Sequence, residues 1–171
     1  MKFKIFRTMQ AWRITIALID HSAGFETSPE RVHLSDLVDF SADVAIFFRG
    51  DGKEIDTKTL EVAIRKGSLA IETMPLSVAP RLFSDLNALL VTELLDGVDN
   101  KRREVMERWQ RAARQTRQLA YRITASFLER PILISSESGY RADDADQWVQ
   151  VERYIRGEIQ DLGGATKANP M

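Results

Sequence analysis

Apolar and polar positions change period several times along the chain, and each change marks an element. Trp12, Ile14, Ile16 and Leu18 alternate with Arg13, Thr15 and Ala17. A two-residue period puts successive side chains on opposite faces, so Trp12–Asp20 reads as a half-buried strand. His21 to Glu30 collects small, polar and breaker residues without a period and reads as a surface loop. After it, Leu37, Phe40, Val44, Phe47 and Phe48 follow the three-and-four spacing of a helix over 35–49, with Ser35 as its expected cap and Gly50 and Asp51-Gly52 as its stop.

Alternation returns at Leu60, Val62 and Ile64, and again at Leu69 and Ile71, on either side of Arg65-Lys66-Gly67-Ser68. This is the pattern of an antiparallel hairpin. Pro75 ends its second strand, and a helix is predicted from about Ser77 to Leu95, with Leu82, Leu86, Leu89 and Leu90 buried. The longest helix is predicted from Asn100 to Thr124, because Val105, Trp109, Ala112, Thr116, Ala120 and Ile123 step by three or four along one seam. Between the two only Gly97, Val98 and Asp99 are clearly non-periodic, which predicts an antiparallel helical hairpin. Pro131–Ser135 reads as a short strand and 138–147 as an acidic loop. Residues 148–162 fit either a helical seam or a strand. Gly157 favours the strand, since glycine costs a helix about 1 kcal/mol.

Together these elements predict an α+β fold: an antiparallel sheet with a β-hairpin, covered by one shorter helix and a long antiparallel helical hairpin. Residues 1–130 form the main domain, and 131–171 a β-rich C-terminal segment. The order of the Lys66-Gly67-Ser68-Leu69 hairpin, the helical pair and Ile155-Arg-Gly-Glu-Ile-Gln-Asp-Leu-Gly163-Gly164 resembles bacterial proteins in which the Gly-Gly precedes further strands of a small barrel. That resemblance implies more strands and no particular activity.

Composition narrows the chemistry. The 171 residues include no cysteine and only two histidines, His21 and His33. Disulfides, thiolate metal sites and cysteine nucleophiles are therefore excluded, and no cofactor is expected. No apolar run approaches the length of a membrane span, and a cytoplasmic location without membrane contact is expected. The net charge of −1 conceals a segment of opposite sign. Basic residues number 11 against 15 acidic over 1–100, 8 against 2 over 101–122, and 5 against 8 over 123–171.

Three surfaces follow as candidates. Trp109, Ala112, Thr116 and Ala120 form a small-residue packing seam, either inside the monomer or facing a protein partner or a second copy. Arg103, Arg111, Arg114 and Arg117 lie opposite that seam, where guanidinium forks would contact anions or nucleic acid. Asp36, Asp39 and Asp43 share one stripe of the 35–49 helix, available to a basic partner or to the chain's own basic helix. His21 beside Asp20 and Ser22 is the one candidate for catalysis, and adjacency in sequence does not make a triad. Asp143, Asp144 and Asp146 lack the spacing and glycine of a calcium loop. The sequence thus predicts a non-catalytic interaction or accessory module in a bacterial assembly, docking through the long helix. Nucleic-acid binding is the alternative, and an enzyme using His21 the second.

Overall fold

The computed structural model describes residues 11–76 and 79–143. Eight elements follow in the order β1 (Ile14–Asp20), α1 (Leu34–Arg49), β2 (Val62–Arg65), β3 (Leu69–Thr73), α2 (Pro80–Val91), α3 (Asn100–Gln115), β4 (Leu119–Ala125) and β5 (Ile132–Ile134). The strands form one antiparallel five-stranded sheet in the order β2-β3-β1-β4-β5. The fold is mixed α+β. Strands β1 and β2 are joined through α1 with β3 between them, and β3 and β4 through α2 and α3 with β1 between them, giving two interleaved split β-α-β units. β5 pairs with β4, so 132–134 belongs to the same sheet.

Register explains the core. Ile16 lies between Ile71 and Ile123, and Leu18 between Leu69 and Tyr121, so one face of the three central strands is continuously apolar. On that face Phe40, Val44, Phe47 and Phe48 of α1, Leu82, Leu86 and Leu89 of α2, and Val105, Met106 and Trp109 of α3 join a single buried cluster. The opposite face presents Thr15, Ala17, Ala70, Glu72, Ala120 and Arg122, the other half of the same alternation.

The helix expected over 100–124 is two elements. α3 ends at Gln115, Thr116 is its C-cap in extended conformation, and β4 begins at Leu119. Leu119-Ala-Tyr-Arg-Ile-Thr-Ala satisfies a two-residue period as well as a helical one, and pairing with β1 over seven residues decides between them. Consequently α3 is no longer than α1, at 16 residues each. α1 starts one residue before Ser35, with His33 as an N-cap that makes no side-chain cap bond. α2 is shorter than expected, starting at Pro80 with Ala79 as N-cap. Its cap comes from elsewhere in the chain: the Glu54 carboxylate accepts from the backbone N–H of Arg81 at 2.8 Å and of Leu82 at 3.0 Å. The expected cap Ser77 and the 148–160 segment lie outside the described residues.

Candidate functional site

Much of the basic segment is answered inside the fold. Lys101 pairs with Glu104 at 2.9 Å. Arg108 of α3 donates from Nε to Asp43 of α1 at 3.1 Å, so one member of the acidic stripe does receive the chain's own basic helix. Arg102 is fully buried. Its guanidinium donates to Asp85 at 2.8 Å and to the carbonyl of Phe47 at 2.9 Å, and reaches Glu54 at 3.6 Å. Gly50 makes room for it: at φ +61, a Cβ there would sit 2.7 Å from the guanidinium. Asp99 closes the network by capping α3 through Lys101 N–H at 3.0 Å and Arg102 N–H at 3.3 Å, and by accepting from Asp51 N–H at 3.0 Å. Burial raises the Asp99 pKa, but those N–H groups and the Arg102 charge outweigh it and hold the carboxyl below its usual range.

What remains outward is a shorter basic face. Arg111 and Arg114 are exposed on α3, Arg103 is half-buried on the same side, and Arg117 is exposed in the turn after the helix. None of the four makes an ion pair among the described residues. Arg114 donates to the Ser138 carbonyl at 3.4 Å. Glu107 interrupts the stripe between Arg103 and Arg111.

The expected seam is dispersed by the break at 115. Trp109 is 1% exposed, stacked between Phe47 at 5.7 Å and Tyr121 at 4.8 Å, with its indole N–H donated to Asp43 at 3.0 Å. Ala112 remains on α3, Thr116 is its cap, and Ala120 sits in β4 opposite Ile19. His21 and His33 are exposed, and the Asp20 carboxylate accepts from Ser22 N–H at 2.8 Å. No hydrogen bond joins the His21 ring to Asp20 or Ser22 among the described residues.

Folding gathers a constellation that spacing alone did not show. Asp20 at the end of β1 joins Asp36, Asp39 and Asp43 of α1 around a cleft of about 160 Å³, with Tyr121 on its floor. It adjoins a recess of about 370 Å³ bounded by Arg108, Arg111 and Gln115. Burial, and then the charges of Asp43, Asp20, Asp36 and Asp39, push the Tyr121 phenol well above its ordinary pKa, so it keeps its proton. Among the described residues no group of three or more His, Asp or Glu converges closely enough to hold a metal ion.

A second surface lies at the sheet edge. Among the described residues β2 pairs only with β3. Beside it an apolar groove of about 220 Å³ runs between α1 and β2, floored by Val44, Phe48 and Ile71 and rimmed by Leu60, Val62 and Ile64. Val62 is 44% and Ile64 57% exposed. Leu34 and Val38, also exposed, lie on the same side of α1 as the groove residues Ser41 and Ala45, at steps of four, three and four. No helix among the described residues is long and apolar enough to cross a membrane. Comparison with protein-family models, with curated proteins and with solved structures finds no match.

Proposed function

We propose that this chain is a non-catalytic protein-interaction module, an accessory part of an assembly, and that it self-associates along the outer edge of β2. The observation that carries the reading is the exposure of Val62 and Ile64 on a strand edge that no described residue pairs, beside an apolar groove. A bare edge of β-branched residues, without proline, is a template for another strand. Its sequence is self-complementary. Antiparallel pairing about Ala63 puts Val62 opposite Ile64 of the second copy on the groove side, and Glu61 opposite Arg65 on the other. Both are favourable cross-strand pairs. Arg65 already bridges Glu72, which also pairs with Arg13, so the incoming Glu61 completes a four-member charge group. An isologous contact of this kind closes at two copies.

The test is Ile64→Lys, followed by light scattering after size exclusion at low and high salt. The wild-type chain is expected to run as a dimer that persists in salt, and the variant as a monomer with unchanged circular dichroism. A monomeric wild type, or a dimer indifferent to the substitution, contradicts the proposal.

A second reading rests on a separate observation, the exposure of Arg111, Arg114 and Arg117 without ion pairs among the described residues. It assigns that face to an anionic partner, nucleic acid in particular. The opposite sheet face offers no platform for single strands, because its β1, β3 and β4 positions carry no aromatic ring on which a base could stack.

A further inference from the structure

We infer that the cleft walled by Asp20, Asp36 and Asp39 and floored by Tyr121 is a binding site for an alkylammonium group, carried by a free diamine or by a lysine side chain. Arg108 and Arg111 at the adjoining recess answer the acidic charge only in part. Of the four carboxylates around the cleft, Asp43 is engaged by Arg108 and by the Trp109 indole, whereas Asp20, Asp36 and Asp39 form no ion pair among the described residues. Asp20 is 9% exposed, so its charge sits at low solvent contact and gains from a counter-ion.

Tyr121 supplies the independent observation. The residue is 8% exposed and lines both the cleft and the adjoining recess, yet its hydroxyl makes no hydrogen bond to any described residue. Because no polar atom sealed from solvent lacks a partner among the described residues, that hydroxyl reaches solvent, where Tyr121 lines the cleft and the adjoining recess. A phenol oxygen held this way, with its ring pinned on Trp109, waits for a ligand that can donate to it.

The donor set selects the ligand. The carboxylates are too dispersed to share a metal ion. An ammonium carries three N–H donors and can divide them between the Tyr121 oxygen and two carboxylates. At about 160 Å³ the cleft itself admits only a small head group, below the roughly 300 Å³ of sites for drug-sized molecules, and the adjoining recess of about 370 Å³ leaves room for the chain that carries it.

Calorimetric titration with butane-1,4-diamine and with Nα-acetyl-lysine N-methylamide, at constant ionic strength set with KCl, tests this. Saturable binding of either compound is expected, weakened at least tenfold in both Asp39→Asn and Tyr121→Phe. Asp39 is exposed, and Tyr121→Phe keeps the ring stack, so both variants retain the fold, as circular dichroism checks. Preference for the diamine identifies a free polyamine as the source, and preference for the lysine analogue a protein segment; each supports the site. Absence of saturable binding, or equal affinity in both variants, overturns it. This outcome is independent of pairing along β2.

Discussion

Arg102 carries one of the eight positive charges between 101 and 122, and essentially none of it reaches solvent. Its position in sequence tells why: with Val105, Met106 and Trp109 it follows the three-and-four spacing of the inward side of α3. The Asp85 carboxylate and the Phe47 carbonyl satisfy it, so the end of α1 and the middle of α2 are tied to the start of α3 by one side chain. Arg102→Met should cost about 3–5 kcal/mol, since the buried Asp85 would lose its buried partner and keep only the exposed Arg81, at 3.2 Å. Urea unfolding at neutral pH measures it, and a cost below about 1 kcal/mol would contradict the assignment. Asp99 next to it predicts a pH dependence. A carboxyl whose folded pKa lies below its unfolded value contributes stability above the unfolded value and loses it as pH falls through the folded one. Asp99→Ala should therefore destabilise by about 1–2 kcal/mol at pH 7. The gap to wild type should narrow as pH falls below the usual aspartate range of about 4, checked by unfolding curves over that range.

At the scale of elements, the strands and helices whose period admitted a single reading were legible. Alternation at Ile14, Ile16 and Leu18 located β1, and Phe40, Val44, Phe47 and Phe48 located both α1 and its buried side. The stretch after Gln115 was not, because Ala120 and Ile123 fit a helical seam while Leu119, Tyr121 and Ile123 fit a strand; only the partner strand β1, about a hundred residues away, resolves it. The candidate site divides the same way. Asp36, Asp39 and Asp43 were visible as a stripe from spacing within one helix. Asp20 and Tyr121 reach the same cleft through strand pairing, which local spacing does not encode. Trp109 was seen as a large seam residue, but its two stacking partners come from α1 and β4, so its burial was not visible. For α3 itself, the outward arginines give a separable expectation. If they contact nucleic acid, affinity for a DNA duplex should fall steeply with salt, and Arg111→Glu should weaken it several-fold without unfolding the chain. A fluorescence anisotropy titration reads this, and salt-insensitive or unaltered binding would remove that reading.

For the whole molecule, the sheet decides what is available outside. Among the described residues its helix-covered face is consumed by the core, its opposite face sets Ile19 and Leu133 among small and polar residues, and the β5 edge offers three residues. The β2 edge instead joins two exposed β-branched side chains to an apolar groove, with opposite charges at Glu61 and Arg65 spaced symmetrically about Ala63. Two-fold pairing there would extend the sheet from five strands to ten. The most direct test uses the absence of cysteine from the chain. A two-fold axis through residue 63 brings the two Ala63 Cα atoms to about 4.5–5.5 Å, within disulfide range. Glu61 faces Arg65 instead and lies far from its own copy. Ala63→Cys should therefore form a covalent dimer rapidly under mild oxidation, well ahead of Glu61→Cys, as read on a non-reducing gel. Equal rates for the two variants, or no cross-link from Ala63→Cys, would contradict self-association along β2.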